Sequence, residues 1–294
     1  MVLKKIILSF FLLTTGMLQA ENLVFSGTPA AGREFLCTFS VKENISRKME
    51  IRGAKEPPVQ VAATDFVLTG LLKIRQNDKK AFIFQFIPDS FIWLDAGKQQ
   101  NEQTLRKVGI DVALDATGAL RLCRVAPDQR PDSERITISP ALQNALLQLG
   151  RSLRAKPNAI LGPDAIRKTG DFWQVDEQLI SAIAKNRDVS TVNKSDWDSK
   201  VLFTRQEKFF DVFVNRIDVN LFTNRIPGYD CRINMTYLFP VVDAKNTGAV
   251  SYIMDWMECV DKMMLMLNSN PIFSGTKIVE IKTLTVRRDL VPAQ

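Results

Sequence analysis

Asp196-Trp197-Asp198 is the first place to look in this sequence for two carboxylates that share a reaction. Glycoside hydrolysis uses two acids about 5 to 10 Å apart in unlike environments, often beside an aromatic ring that stacks on sugar. Asn193 and Ser195 precede the pair, and short polar residues in a row form turns and helix N-caps, which is the stronger reading of these aspartates. Asp255, Glu258 and Asp261 recur every three residues, a spacing that lines carboxylates along one side of a helix, where a cation could bridge them. A solvated helix face has the same spacing, and no DxDxDG calcium loop accompanies it, so no metal site is expected.

The chain of 294 residues contains no histidine. Ser-His-Asp and Cys-His catalysis, HExxH zinc sites and imidazole pH switching are therefore excluded, since each needs an imidazole nitrogen. Walker A, GxGxxG and GxSxG motifs are also missing, which leaves nucleotide cofactors and serine hydrolysis without support. The expectation is a protein with no catalytic residues and no cofactor. A carboxylate-dependent glycan hydrolase and a structural assembly component are the alternatives.

Methionine is the more informative residue. Five of the nine (Met254, Met257, Met263, Met264 and Met266) fall close together beside Trp256. A flexible, polarisable side chain can line a cavity that accepts varied apolar ligands, although filling a core is its commoner use. The expected ligand-binding residues are Trp256, Met257, Met263 and Met264 on a helix, with Phe82, Phe84, Phe86 and Trp93 facing them from a sheet.

These side chains must be positioned by recognisable elements. From residue 33 to 125 the period is two: Phe35, Cys37, Phe39 and Val41; Phe66, Leu68, Gly70 and Leu72; Phe82, Phe84 and Phe86; Val108, Ile110, Val112 and Leu114. Gln76-Asn77-Asp78-Lys79 and Asp115-Ala116-Thr117-Gly118 are hairpin turns between them. The period then changes. Ser139 is an N-cap, Pro140 opens a helix, and Leu142, Ala145, Leu146, Leu149 and Leu153 form its stripe, with Arg151 and Arg154 suited to its C-terminal end.

A turn-rich junction follows from Gly162 to Trp173, and Asp171 to Lys185 reads weakly as helix. Strands resume near residues 200–203 and 209–222, with a short echo between Phe213-Val-Asn-Arg-Ile217 and Phe222-Thr-Asn-Arg-Ile226. Ile226 to Tyr229 is a turn, and Cys231, Ile233, Met235, Tyr237 and Phe239 alternate. Ser251 to Leu267 carries Ile253, Trp256, Met257, Val260, Met263, Met264 and Leu267 at helical spacing. A last strand spans 277–287, where Val279, Ile281, Leu284 and Val286 change face and imply a bulge. The fold class expected is α+β, with mostly antiparallel, curved sheets in two halves and a packed helix in each.

Residues 1–20 read as a secretory signal peptide: Lys4 and Lys5, an apolar core from Ile6 to Leu13, and Leu18-Gln19-Ala20 as the cleavage site. No later apolar run is long enough to span a bilayer. The expected location is periplasmic or secreted. Cleavage removes two lysines and no acid, lowering the net charge from +7 to +5. So mild an excess, without a basic run, fits a solvated surface rather than a nucleic-acid partner.

In an oxidising compartment four cysteines pair. Three connectivities exist; Cys37 with Cys123 and Cys231 with Cys259 keeps each bridge within one half, and each would contribute about 3 to 5 kcal/mol on the chain-entropy model. Four buried thiols are the alternative. The expected divisions are 1–20 leader, 21–139 β-rich half, 140–170 helix and junction, and 171–294 second half.

The junction from Gly162-Pro163 to Gly170-Asp171-Phe172-Trp173, placed after a β-rich half and a Leu-rich helix, resembles a class of exported bacterial proteins with two β-rich halves flanking such a segment. The likeness covers the layout of residues 30 to 290. It implies location and general shape and supplies no site residues. The function expected is a non-enzymatic envelope or periplasmic protein that binds an apolar small molecule or an envelope partner.

Overall fold

The computed structural model describes residues 21–23, 30–51, 54–55, 57–78, 80–95, 97–126, 137–154, 158–162, 165–175, 180, 193–209, 212–241, 254–267 and 276–293. The expected leader, residues 1–20, lies outside them.

The strands are β1 (Glu21–Leu23), β2 (Glu34–Ile51), β3 (Ala54–Lys55), β4 (Val59–Asn77), β5 (Ala81–Asp95), β6 (Lys98–Asn101), β7 (Ile110–Asp115) and β8 (Leu120–Val125). Two helices follow, α1 (Pro140–Arg154) and the single turn α2 (Asn158–Leu161). The second series is β9 (Ala165–Arg167), β10 (Phe172–Trp173), β11 (Asp198–Phe209), β12 (Val212–Ile226), β13 (Tyr229–Pro240), β14 (Met254–Leu267) and β15 (Thr276–Pro292). The main sheet is ordered β10-β11-β12-β13-β14-β15-β2-β4-β5-β7-β8, with neighbours antiparallel, while β3 pairs β2 and β6 pairs β5. β1 and β9 form a separate pair. The C-terminal strand β15 runs in unbroken register along β2, from Thr276 opposite Ile51 to Pro292 opposite Phe35, so one ladder joins the two halves.

One face of each half is apolar. Phe35, Cys37, Phe39 and Val41 are buried while Leu36 between them is 54% exposed, as period-two alternation requires. Helix α1 closes this face with Leu142, Ala145, Leu146, Leu149 and Leu153. Ser139 caps it, accepting the Leu142 N–H at 3.3 Å. At its other end Arg151 Nε donates to the Gly118 carbonyl at 3.0 Å and Arg154 donates to the Asp115 carbonyl. The basic last turn is thus tied to the β7–β8 hairpin. A second core gathers Val201, Phe203, Ile217, Val219, Leu221, Tyr229, Ile233 and Met235 with Leu161, Val175, Ile180 and Trp197.

The α+β expectation is overturned: the fold is mostly antiparallel strand, and among the described residues the one long helix is α1. The segment from Ser251 to Leu267 is not a helix. Residues 254–267 form β14, hydrogen-bonded to β13 on one side and β15 on the other. Its apolar residues occupy both odd and even positions (Met257, Met263, Leu265; Trp256, Val260, Met264), so helical spacing could be drawn through a strand that has two neighbours to pair with.

Phe172 and Trp173 are strand, paired with Leu202 and Val201, where the span from Asp171 reads weakly as helix. The bulge expected in the last strand is not there. Even positions of β15 keep to one face, since its pairing with β14 and β2 shows no register shift, and Glu280 and Lys282 occupy two of them, ion-paired with Arg47 (2.8 Å) and Glu43. Charged residues on the face that carries Leu284, Val286 and Leu290 imitate a change of face.

Candidate functional site

Phe82, Phe84 and Phe86 are fully buried beneath α1, within the first core. They fill space against the helix and are not presented to a cavity. Trp93 is half-buried and stacks on Phe91, with centroids 4.9 Å apart and planes at 17°. Trp256, Met257, Met263 and Met264 lie on β14, where Trp256 is registered opposite Thr236 and Arg287, and Met257 opposite Met235 and Val286. Their side chains are outside the described residues. A ligand space between a Met-rich helix and the sheet is therefore removed, because that segment is itself part of the sheet. The helical argument for grouping Asp255, Glu258 and Asp261 goes with it, since a three-residue spacing does not repeat on one face of a strand.

The Cys37–Cys123 bridge is not formed. Strands β4, β5 and β7 separate the two residues, and at about 4.8 Å per strand step they stand far beyond the ~7 Å Cα limit of a disulfide. Cys123 keeps its thiol, which burial pushes up to about 11. Cys231 and Cys259 lie on adjacent strands, with Cys259 registered opposite Ile233 and Cys231 opposite Asp261; the Cys259 side chain is outside the described residues.

Asp196, Trp197 and Asp198 close the entry to β11. Asp196 Oδ2 accepts the Asn193 N–H at 3.1 Å, and its carbonyl accepts the Thr223 hydroxyl at 2.7 Å. Asp198 is held by Arg225 Nη2 at 3.0 Å to each carboxylate oxygen, while Arg225 Nη1 reaches the Ser195 carbonyl at 2.7 Å. Both carboxylates thus serve a turn and an exposed ion pair. Trp197 is buried edge-on to Tyr229, centroids 6.3 Å apart, and its indole N–H finds no acceptor among the described residues. A cavity of about 190 Å3 opens at the adjacent hairpin, lined by residues from Asn224 to Asp230.

Two features were not anticipated from sequence. Asp218, in mid-β12, accepts hydrogen bonds from Thr204 (2.5 Å), Thr236 (2.7 Å) and Arg216 (3.1 Å). Burial alone would raise its pKa, but these donors outweigh it and hold the carboxyl below its ordinary value. Arg288 is fully buried in β15, and burial pulls its guanidinium down to about 9. The even-numbered pattern of β12 and the RRD triplet of β15 carry no signal in sequence that distinguishes them from solvated charge.

On the outer face of the first half, Val291, Leu36, Leu71 and Ile87 stand directly opposite one another across β15, β2, β4 and β5. Val67 pairs with Ile92 further along, and Leu94 lies beyond. Leu36, Val67 and Leu94 are exposed by 54%, 38% and 45%. Ordinary alternation places polar side chains on a solvated sheet face, so an apolar row across four strands there is a candidate contact surface. Among the described residues no helix is long and apolar enough to cross a membrane, and no cluster of acidic and cysteine side chains is placed to hold a metal ion.

No protein-family model matches the chain, and no curated protein matches it. Among solved structures, the outer membrane protein OprG from Pseudomonas aeruginosa is 9% identical over 92% of this chain and 100% of that one, with a TM-score of 0.16. P47 from Clostridium botulinum A2 is 6% identical over 84% of this chain and 80% of that one, with a TM-score of 0.17. Scores of this size lie below those of a shared fold. Family membership is not shown, and what the chain itself displays is an antiparallel β-sheet protein with an apolar row on its open face.

Proposed function

We propose that this is an exported, non-enzymatic β-sheet protein of the periplasm or cell envelope, which binds an apolar envelope partner through the outer face of its first half. The observation that carries the reading is the row formed by Val291, Leu36, Leu71 and Ile87, extended by Val67 and Leu94. Leaving large aliphatic side chains in water costs about 25 cal/mol for each Å2 that a partner would cover. The leader at residues 1–20 supports export, as does the resemblance of the junction to that of exported bacterial proteins.

The test is an apolar fluorescent dye and an envelope fraction, each offered to the processed protein and to the Leu36→Lys, Val67→Lys double variant. Dye enhancement and envelope association are expected for the parent and lost in the variant, with circular dichroism unchanged. A parent that binds neither, or a variant that binds both as well as the parent, overturns the reading.

A further inference from the structure

Strand β4 is flanked unequally along its length. Its pairing with β2 runs from Val59, opposite Arg47, to Lys73, opposite Glu34. Its pairing with β5 starts only at Phe66, opposite Trp93. Residues 59–65 therefore have a hydrogen-bonded neighbour on the β2 side and, among the described residues, no strand on the other. They are also uncovered: Val59 is 63% and Val61 48% exposed.

A strand edge offers rows of unpaired N–H and C=O groups, and proteins normally guard such edges with lysine, proline or inward charge. The sequence here is Val59-Gln60-Val61-Ala62-Ala63-Thr64-Asp65, preceded by Pro57-Pro58, so proline and charge stand only at its two ends and the centre from Val59 to Thr64 holds neither. Its one irregularity is the register shift opposite Ile45 and Ser46, which leaves Val61 without a β2 partner. That adds twist and does not close the edge.

We propose that this edge is a self-association surface, on which residues 59–65 of two copies pair antiparallel about a two-fold axis. Such an interface must be self-complementary. In the register centred on Ala62, Val61 meets Ala63 of the second copy and Gln60 meets Thr64. Aliphatic side chains then face one another, an amide faces a hydroxyl, and at each end Val59 faces Asp65 of the second copy. The nearest charges are already engaged: Asp65 with Lys42 at 3.9 Å and Arg47 with Glu280 at 2.8 Å. No like charges come into opposition. The sheets of the two copies continue into one another, and every strand pairing in the main sheet is already antiparallel.

The experiment is sedimentation equilibrium of the processed chain over a range of concentrations, with two variants. The parent is expected at twice the monomer mass. Val61→Lys, at a position outside the β2 ladder, is expected to weaken association at least tenfold with an unchanged circular dichroism spectrum and unchanged dye binding by the outer face. Ala62→Cys is expected to give a covalent dimer on mild oxidation, because the two-fold axis brings position 62 against itself. A parent that is monomeric throughout, a dimer indifferent to Val61→Lys, or an edge that pairs only with a different protein overturns the proposal.

Discussion

Arg288 Nη1 donates to Ser152 Oγ at 2.9 Å, joining the C-terminal part of β15 to the last turn of α1. Ser152 in turn donates to the Leu149 carbonyl at 2.7 Å, and Cys37 from the first core and Tyr237 from the second both lie close enough to favour the guanidinium's charge. Arg288 thus sits where the two halves of the sheet meet. Arg288→Ala is expected to destabilise the protein by about 3 to 5 kcal/mol through a lost volume and stranded polar groups, whereas Arg288→Met, apolar and of similar length, costs far less. Urea midpoints of the two variants check this.

The same residue predicts a pH dependence. Burial lowers the folded pKa to about 9, beneath the value in an unfolded chain, so the cost of burying the charge is present in full below pH 9. As pH rises through 9 the folded form sheds the proton more readily than the unfolded one and gains stability. Relative to Arg288→Met, the parent should become more stable above pH 9 in parallel urea titrations.

Gly150 is where α1 comes closest to the sheet. A methyl group there would lie 2.7 Å from Leu114 Cδ1 and 2.9 Å from Phe84 Cε1. Alanine improves an isolated helix by about 1 kcal/mol, but overpacking costs about 1 to 3 kcal/mol. Gly150→Ala is expected to lower the melting temperature, while Gln143→Ala, on the exposed side of the helix, is expected to leave it the same or slightly higher.

Phe84 is a structural residue on this geometry. Phe84→Ala should cost about 3 to 5 kcal/mol in chemical denaturation and leave dye binding at the outer face intact below the transition. A selective loss of dye binding with unchanged stability would return Phe84 to a ligand role.

Asp198 and Asp218 should differ in what they contribute to stability. The Asp198–Arg225 pair is exposed on both sides, so Asp198→Asn is expected to change stability by less than about 1 kcal/mol. Asp218 has a folded pKa held below its unfolded value, so its contribution is present above the ordinary aspartate range near 4 and is lost as pH falls through the depressed value. Asp218→Asn should flatten the acid limb of the stability profile, read as urea midpoints against pH.

Local patterns were legible wherever one physical constraint acted alone. The stripe of α1, its Ser139 cap, the Asn77 and Asp115 turns and the alternation of β2, β4, β5 and β7 each follow from neighbours in the chain, because capping, turn formation and one-sided burial are decided within a few residues. What residues 254–267 would become was not decided there. Methionine accepts either conformation and both parities are apolar, so only the arrival of β13 and β15 on its two sides made it a strand. The placement of β15 against β2 is likewise a tertiary outcome. It buried Arg288, while α1 enclosed Phe82, Phe84 and Phe86 and the reach of β5 left residues 59–65 of β4 at an open edge, because hydrogen bonding between strands distant in the chain depends on which partners meet, and that is not encoded in either strand alone.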